Sequence, residues 1–145
     1  MSAPDQVSAL QQALAAEHAA VYVYGVLGGQ TSASSQARLY AAVDAAFTQH
    51  RLRRDRLVDL LVDLLPEGQQ PVGPEAGYDL PDQLGTTAAV SSVARGVEAA
   101  SATAYAAVVA ATQGTTRTWA VTALTDAAVR GLGFGSEPEQ LPGLG

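Results

Sequence analysis

Residues 7–24 read VSALQQALAAEHAAVYVY, and their spacing decides the fold class. Val7, Leu10, Leu14, Glu17, Val21 and Tyr24 recur at alternating intervals of three and four, which puts them on one face of a helix. Glu17 stands where that pattern calls for an apolar residue. A carboxylate on a buried face must be paired, hydrogen-bonded or protonated, because its desolvation otherwise costs several kcal/mol.

Working outward, the first helix runs from about Ser2 to Leu27, with Ser2 and Asp5 as a capping box and Gly28-Gly29 as its stop. A second helix extends from Ser32 or Ala33 to Leu65, halted by Pro66 and Gly68. Its face is Tyr40, Val43, Phe47, His50, Arg54, Leu57, Leu61 and Leu64, so two ionisable residues interrupt it near the middle. The Pro- and Gly-rich stretch from Glu67 to Pro81 is a connection. It is long enough to cross a bundle end to end, so the second and third helices are expected to run parallel. The third helix spans about Thr86 to Gln113, with Val90, Ala94, Val97, Ser101, Ala104 and Val108 on its seam and Glu98 beside it. Gly114 makes a turn, Thr115 is the expected cap of the fourth helix, and that helix reaches about Arg130. Residues 1–132 are expected to form the bundle and 133–145 a flexible C-terminal tail.

Composition agrees. Alanine makes up about a fifth of the chain, hydrophobic residues 48% and charged residues 15%. Alanine has the best helix propensity and lets helices approach closely. There is no strand pattern, so the class is all-α. With no cysteine there is no disulfide framework, thiolate metal site or cysteine nucleophile. A net charge of −6 argues against nucleic acid, and the short cluster Arg51 to Arg56, interleaved with Asp55, reads as a solvated helix face. No stretch reaches the roughly 20 apolar residues of a membrane span and no signal peptide is visible, so the expected location is cytoplasmic.

Glu17, His50 and Glu98 each lie within a turn of the midpoint of their helix, and helix midpoints share one depth in an antiparallel bundle. These three can therefore meet at the centre. Carboxylates with imidazole suit iron, manganese or zinc, and di-metal bundles place such groups on facing helices. The full pattern needs Glu-x-x-His on two helices, but Phe47 occupies the position three before His50, and the fourth helix offers only Asp126. The ligand count argues against a di-metal centre. A mononuclear site of Glu17, His50 and Glu98 stays open. The preferred alternative is a metal-free polar network in which Arg54, one turn from His50, neutralises Glu17 or Glu98.

The segments ALAAEHAAVY (13–22), HRLRRD (50–55), AGYDLP (76–81) and Val97-Glu98, in that order, resemble an alanine-rich, ferritin-like family of actinobacterial proteins classed as a domain of unknown function. The resemblance covers about residues 7 to 132. It implies a ferritin-like four-helix bundle with one long crossover and a homodimer, and it implies no particular reaction.

The other candidates read as structure. His18 points about 100° away from Glu17, toward the surface or an interface. Tyr22, Tyr24 and Tyr105 read as core aromatics. Gly131 to Gly135 follows a helix and lacks a lysine, unlike a phosphate loop, and no nucleophile elbow is present. Three functions follow: a non-catalytic structural or interaction module, an iron- or manganese-binding protein or oxidoreductase, and a carrier for a small ligand.

Overall fold

A computed structural model describes residues 3–145. Four helices account for the regular structure: α1 (Ala3–Gln30), α2 (Ala37–Leu64), α3 (Thr87–Ala111) and α4 (Gly114–Gly133). Helix α1 packs on α2 and α3, and α3 packs on α4. Tyr24 bonds Glu98 while Tyr105 bonds Glu17, so α1 and α3 run antiparallel. The short α1–α2 connection makes that pair antiparallel as well, and α2 therefore runs parallel to α3. This is a four-helix bundle with its long connection between α2 and α3. Among the described residues no helix is long and apolar enough to cross a membrane.

The helix ends differ from the sequence expectation in instructive ways. Helix α1 continues through Gly28 and Gly29 to Gln30. Leu27 is fully buried beside them, and its packing outweighs the cost of about 1 kcal/mol for a glycine in a helix. Helix α2 begins at Ala37 because Ser32 organises a turn ahead of it: its hydroxyl accepts from the Ser35 amide at 3.1 Å and its carbonyl from the Gln36 amide at 2.8 Å. Thr86 caps α3, its hydroxyl accepting from the Ala89 amide at 3.1 Å. Thr115 lies inside α4 instead of capping it, because the chain already turns at Gly114, where φ is +60°. Ser2, the other half of the expected capping box, lies outside the described residues.

The crossover is laid along α1. Gln11 donates to the Gln70 carbonyl at 3.1 Å and accepts from the Val72 amide at 2.7 Å. His18 Nε2 donates to the Val72 carbonyl at 2.8 Å, and the rings of Tyr22 and Tyr78 meet at 5.3 Å. His18 thus pins the connection, as its displacement from the core face of α1 allows. Leu84 then enters the core just before α3.

Two apolar clusters fill the bundle. One gathers Leu10, Leu14, Leu57, Leu61, Tyr105 and Val108; the other gathers Tyr24, Leu27, Val43, Val90 and Phe134. Each fully buried leucine contributes about 1.5–3 kcal/mol. Helix α4 buries only small residues, Ala120, Ala123, Ala127 and Gly131, which brings it close to its neighbours. After α4, residues 134–145 fold back over α3. Arg95 Nη1 donates to the Phe134 carbonyl at 2.9 Å, and the Ser136 amide to the Gly131 carbonyl at 2.9 Å.

Gly143 closes this segment onto α3 with φ +81°, where a Cβ would overlap the Ala102 carbonyl. Gly143→Ala is expected to lift the segment and cost at least about 1 kcal/mol. Hydrogen exchange at 137–145 should accelerate while α1 and α2 keep their protection. Unchanged exchange there would refute the packing described.

Candidate functional site

Between the two apolar clusters lies a layer of charge. Glu17 from α1, His50 from α2 and Glu98 from α3 are each at most 1% exposed. His50 sits between the two acids, with Nδ1 2.5 Å from Glu17 Oε2 and Nε2 2.9 Å from Glu98 Oε1. Ionised carboxylates only accept, so both ring nitrogens donate and the ring is an imidazolium. Burial alone would lower its pKa. Hydrogen bonds to Glu17 and Glu98, and their charge, outweigh that and raise it to about 9.

Each carboxylate also accepts from a tyrosine on the opposite helix. Tyr24 of α1 donates to Glu98 Oε1 at 2.8 Å, and Tyr105 of α3 donates to Glu17 Oε1 at 2.6 Å. The arrangement is reciprocal: glutamate and tyrosine are seven positions apart on both helices, and the helices are antiparallel. Burial, and then the neighbouring carboxylates, raise both phenol pKa values well above the usual tyrosine range, so both remain donors. Tyr24 stacks on the His50 ring at 5.3 Å with 19° between planes, and the Arg53 guanidinium lies over Tyr105 at 5.8 Å.

The layer extends to α4. Arg53 is buried and donates to Asp126. Arg130 pairs with Asp126 at 3.2 Å and approaches Glu98 Oε1 at 3.8 Å, an ion pair without a hydrogen bond. Burial alone would raise the Asp126 pKa, but Arg53 and Arg130 together lower it. Three carboxylates (Glu17, Glu98, Asp126) thus face three cations (His50, Arg53, Arg130), which leaves the layer neutral.

Glu17, His50 and Glu98 come together as their spacing predicts. Arg54 does not join them: it bonds its neighbour Asp55 at 2.9 Å on the outer side of α2. Positions 53 and 54 flank the seam of α2 about equally, three and four residues after His50, and Asp126 on α4 draws in Arg53. Sequence reasoning treated Tyr24 and Tyr105 as core aromatics and missed their acceptors. The signal was present in the repeated spacing Glu17…Tyr24 and Glu98…Tyr105. Asp126 and Arg130, one turn apart on α4, carried no comparable signal.

The geometry does not suit the mononuclear metal site that the same three residues could have formed. Glu17 and Glu98 face different nitrogens of one imidazole, so they do not converge on a common point. A ring that donates from both nitrogens has no lone pair for a metal. Among the described residues, no cluster of three or more His, Asp or Glu side chains has an arrangement that could hold an ion.

Each tyrosine should be worth a measurable amount. Tyr24→Phe and Tyr105→Phe each remove a donor from a buried carboxylate and are expected to cost about 1–3 kcal/mol in urea unfolding. A cost within a few tenths of zero for both would contradict the reciprocal arrangement.

Comparison with curated proteins finds no match. Among solved structures, the chain is similar to the crystal structure of a conserved hypothetical protein from Mycobacterium tuberculosis. The TM-score is 0.80 at 32% identity, over 92% of this chain and 97% of that one. Residues 9–145, which include every residue of the charged layer, match the family described as a domain of unknown function, DUF4439, and the chain belongs to that family.

Proposed function

We propose that this protein is a metal-free, non-catalytic helical bundle that serves as a structural or interaction module. The reading rests on the engagement of both His50 nitrogens by carboxylates from two other helices. That arrangement spends the imidazole on holding α1, α2 and α3 in register, in a ferritin-like bundle whose centre carries salt bridges in place of metal ligands. A buried charged group that finds its partners in only one alignment penalises every other alignment.

Association as a homodimer belongs to the same proposal. Its support is apolar surface on α4, where Val121, Val129 and Leu132 are at least 44% exposed and share one side of the helix. Sedimentation would decide between monomer and dimer.

The principal test is elemental analysis of untagged protein, purified without chelators from medium supplemented with iron, manganese and zinc. Metal at background level supports the proposal. Metal near one per chain, lost in Glu17→Ala, would overturn it and favour an iron- or manganese-dependent oxidoreductase.

A further inference from the structure

The segment after α4 roofs a cavity of about 320 Å³, within the lower range of small-molecule sites. Its floor and walls are Ala102 of α3 with Leu124 and Leu132 of α4; its roof is Pro138 and Pro142. The small residues of α3 and α4 leave this space, and Gly143, seated on Ala102, holds the roof in place. The lining is apolar apart from Ser136, Thr125 and three carboxylates. Glu137 and Glu139 belong to the roof segment, and Glu98 lies in the wall.

Glu98 makes the cavity more than a gap. It is 1% exposed, and while Oε1 serves Tyr24 and His50, its Oε2 is buried with no hydrogen-bond partner. An orphaned carboxylate oxygen in a low-dielectric wall is costly, and a hydrogen-bond donor or cation beside it offsets that cost. No basic residue lines the cavity; the two cations beside Glu98, His50 at 2.9 Å and Arg130 at 3.8 Å, both face Oε1, and Arg130 is also engaged by Asp126.

We infer that this cavity binds a small amphipathic amine: an aliphatic body between α3, α4 and the roof, and a protonated nitrogen directed to the carboxylates. Apolar walls with Glu137 and Glu139 at the roof, the unpartnered oxygen of Glu98 and no base select a cation over a neutral or anionic molecule of the same shape. Glu98 belongs to the charged layer as well, where its Oε1 serves Tyr24 and His50, so the inference rests on the metal-free reading of that layer.

The test compares octylamine, 1-octanol and octanoate as probes, by methyl NMR of the whole chain and by calorimetry. Octylamine is expected to bind one per chain, to shift Ala102, Leu124 and Leu132, and to bind at least about tenfold tighter than the alcohol, with octanoate weakest. Ala128→Phe, which fills the cavity from α4, should abolish binding. Because that variant also alters packing, Glu137→Gln with Glu139→Gln at the solvent-facing roof is the companion; it should weaken octylamine about threefold to tenfold and leave octanol unchanged. No binding of any probe at these methyls, equal binding of all three, or a double Gln variant that binds octylamine as well as the parent would each overturn the inference.

Discussion

His50→Leu is expected to cost about 3–5 kcal/mol, the range for removing one partner from a buried ion pair. The substitution roughly conserves volume, so the loss comes from electrostatics. Glu17 and Glu98 would remain at most 1% exposed with no cation between them. Tyr24 and Tyr105 would still donate one hydrogen bond to each carboxylate, which is too little to replace an imidazolium. Against a total stability of about 5–15 kcal/mol, the variant would be marginal at 37 °C. Replacing the whole layer should behave differently. If Glu17→Met, Glu98→Met, Tyr24→Phe and Tyr105→Phe accompany His50→Leu, most of the loss should return, because no buried charge is then stranded among those residues. Urea unfolding of both variants decides the matter. A single variant that costs less than about 1 kcal/mol, or a combined variant that costs as much as the single one, would show that the layer is not an interdependent network.

Raising the pH should remove the same contribution without a mutation. The folded pKa of His50 is raised from the ordinary 6.5 to about 9. A raised folded pKa means that the folded state holds the proton more tightly than the unfolded chain does. The contribution is therefore complete below about pH 6.5 and is lost progressively as pH rises to about 9. The shift corresponds to roughly 3 kcal/mol. Above pH 10 the buried Tyr24 and Tyr105 add a further loss of the same sign, since they stay neutral in the fold and ionise in the unfolded chain. The window from 6.5 to 9 isolates the histidine. In His50→Leu the unfolding free energy should be flat across that window, and an equally steep fall there would assign the titration to another group.

The interior also shows which physical signals a sequence carries. Periodicity at three and four residues identified four helices and the seams of α1, α2 and α3, because burial of one face is a local property of the pattern; on α4 the buried line is Ala120, Ala123, Ala127 and Gly131, while the larger Val121 and Leu132 stay exposed. The Pro- and Gly-rich stretch of 67–81 implied a parallel arrangement of α2 and α3 through its length alone, and the reciprocal contacts of Glu17 with Tyr105 and Tyr24 with Glu98 agree with it. Depth along the bundle brought Glu17, His50 and Glu98 together.

Azimuth was harder to read. Arg53 and Arg54 lie on either side of the α2 seam, and only the position of Asp126, more than seventy residues away in sequence, selects between them. Arg130 enters the layer through the same aspartate. Such choices depend on how α4 is set against α2, which no local pattern encodes. The tyrosines fall between these cases. Their burial was evident from spacing, whereas their acceptors required pairing two Glu-x6-Tyr intervals on antiparallel helices. Helix ends followed side-chain chemistry that competes with the backbone, as at Ser32, or packing that overrides propensity, as at Gly28 beside Leu27.

The central claim is that His50 is a buried imidazolium held between two carboxylates. Nitrogen-15 NMR of the His50 ring at pH 7, recorded before and after addition of iron, manganese or zinc, tests it most directly. Both Nδ1 and Nε2 should carry slowly exchanging protons, remain protonated until about pH 9, and be indifferent to the metals. A ring with one unprotonated nitrogen at neutral pH, or one whose signals move or vanish at a stoichiometric addition of metal, would contradict the account.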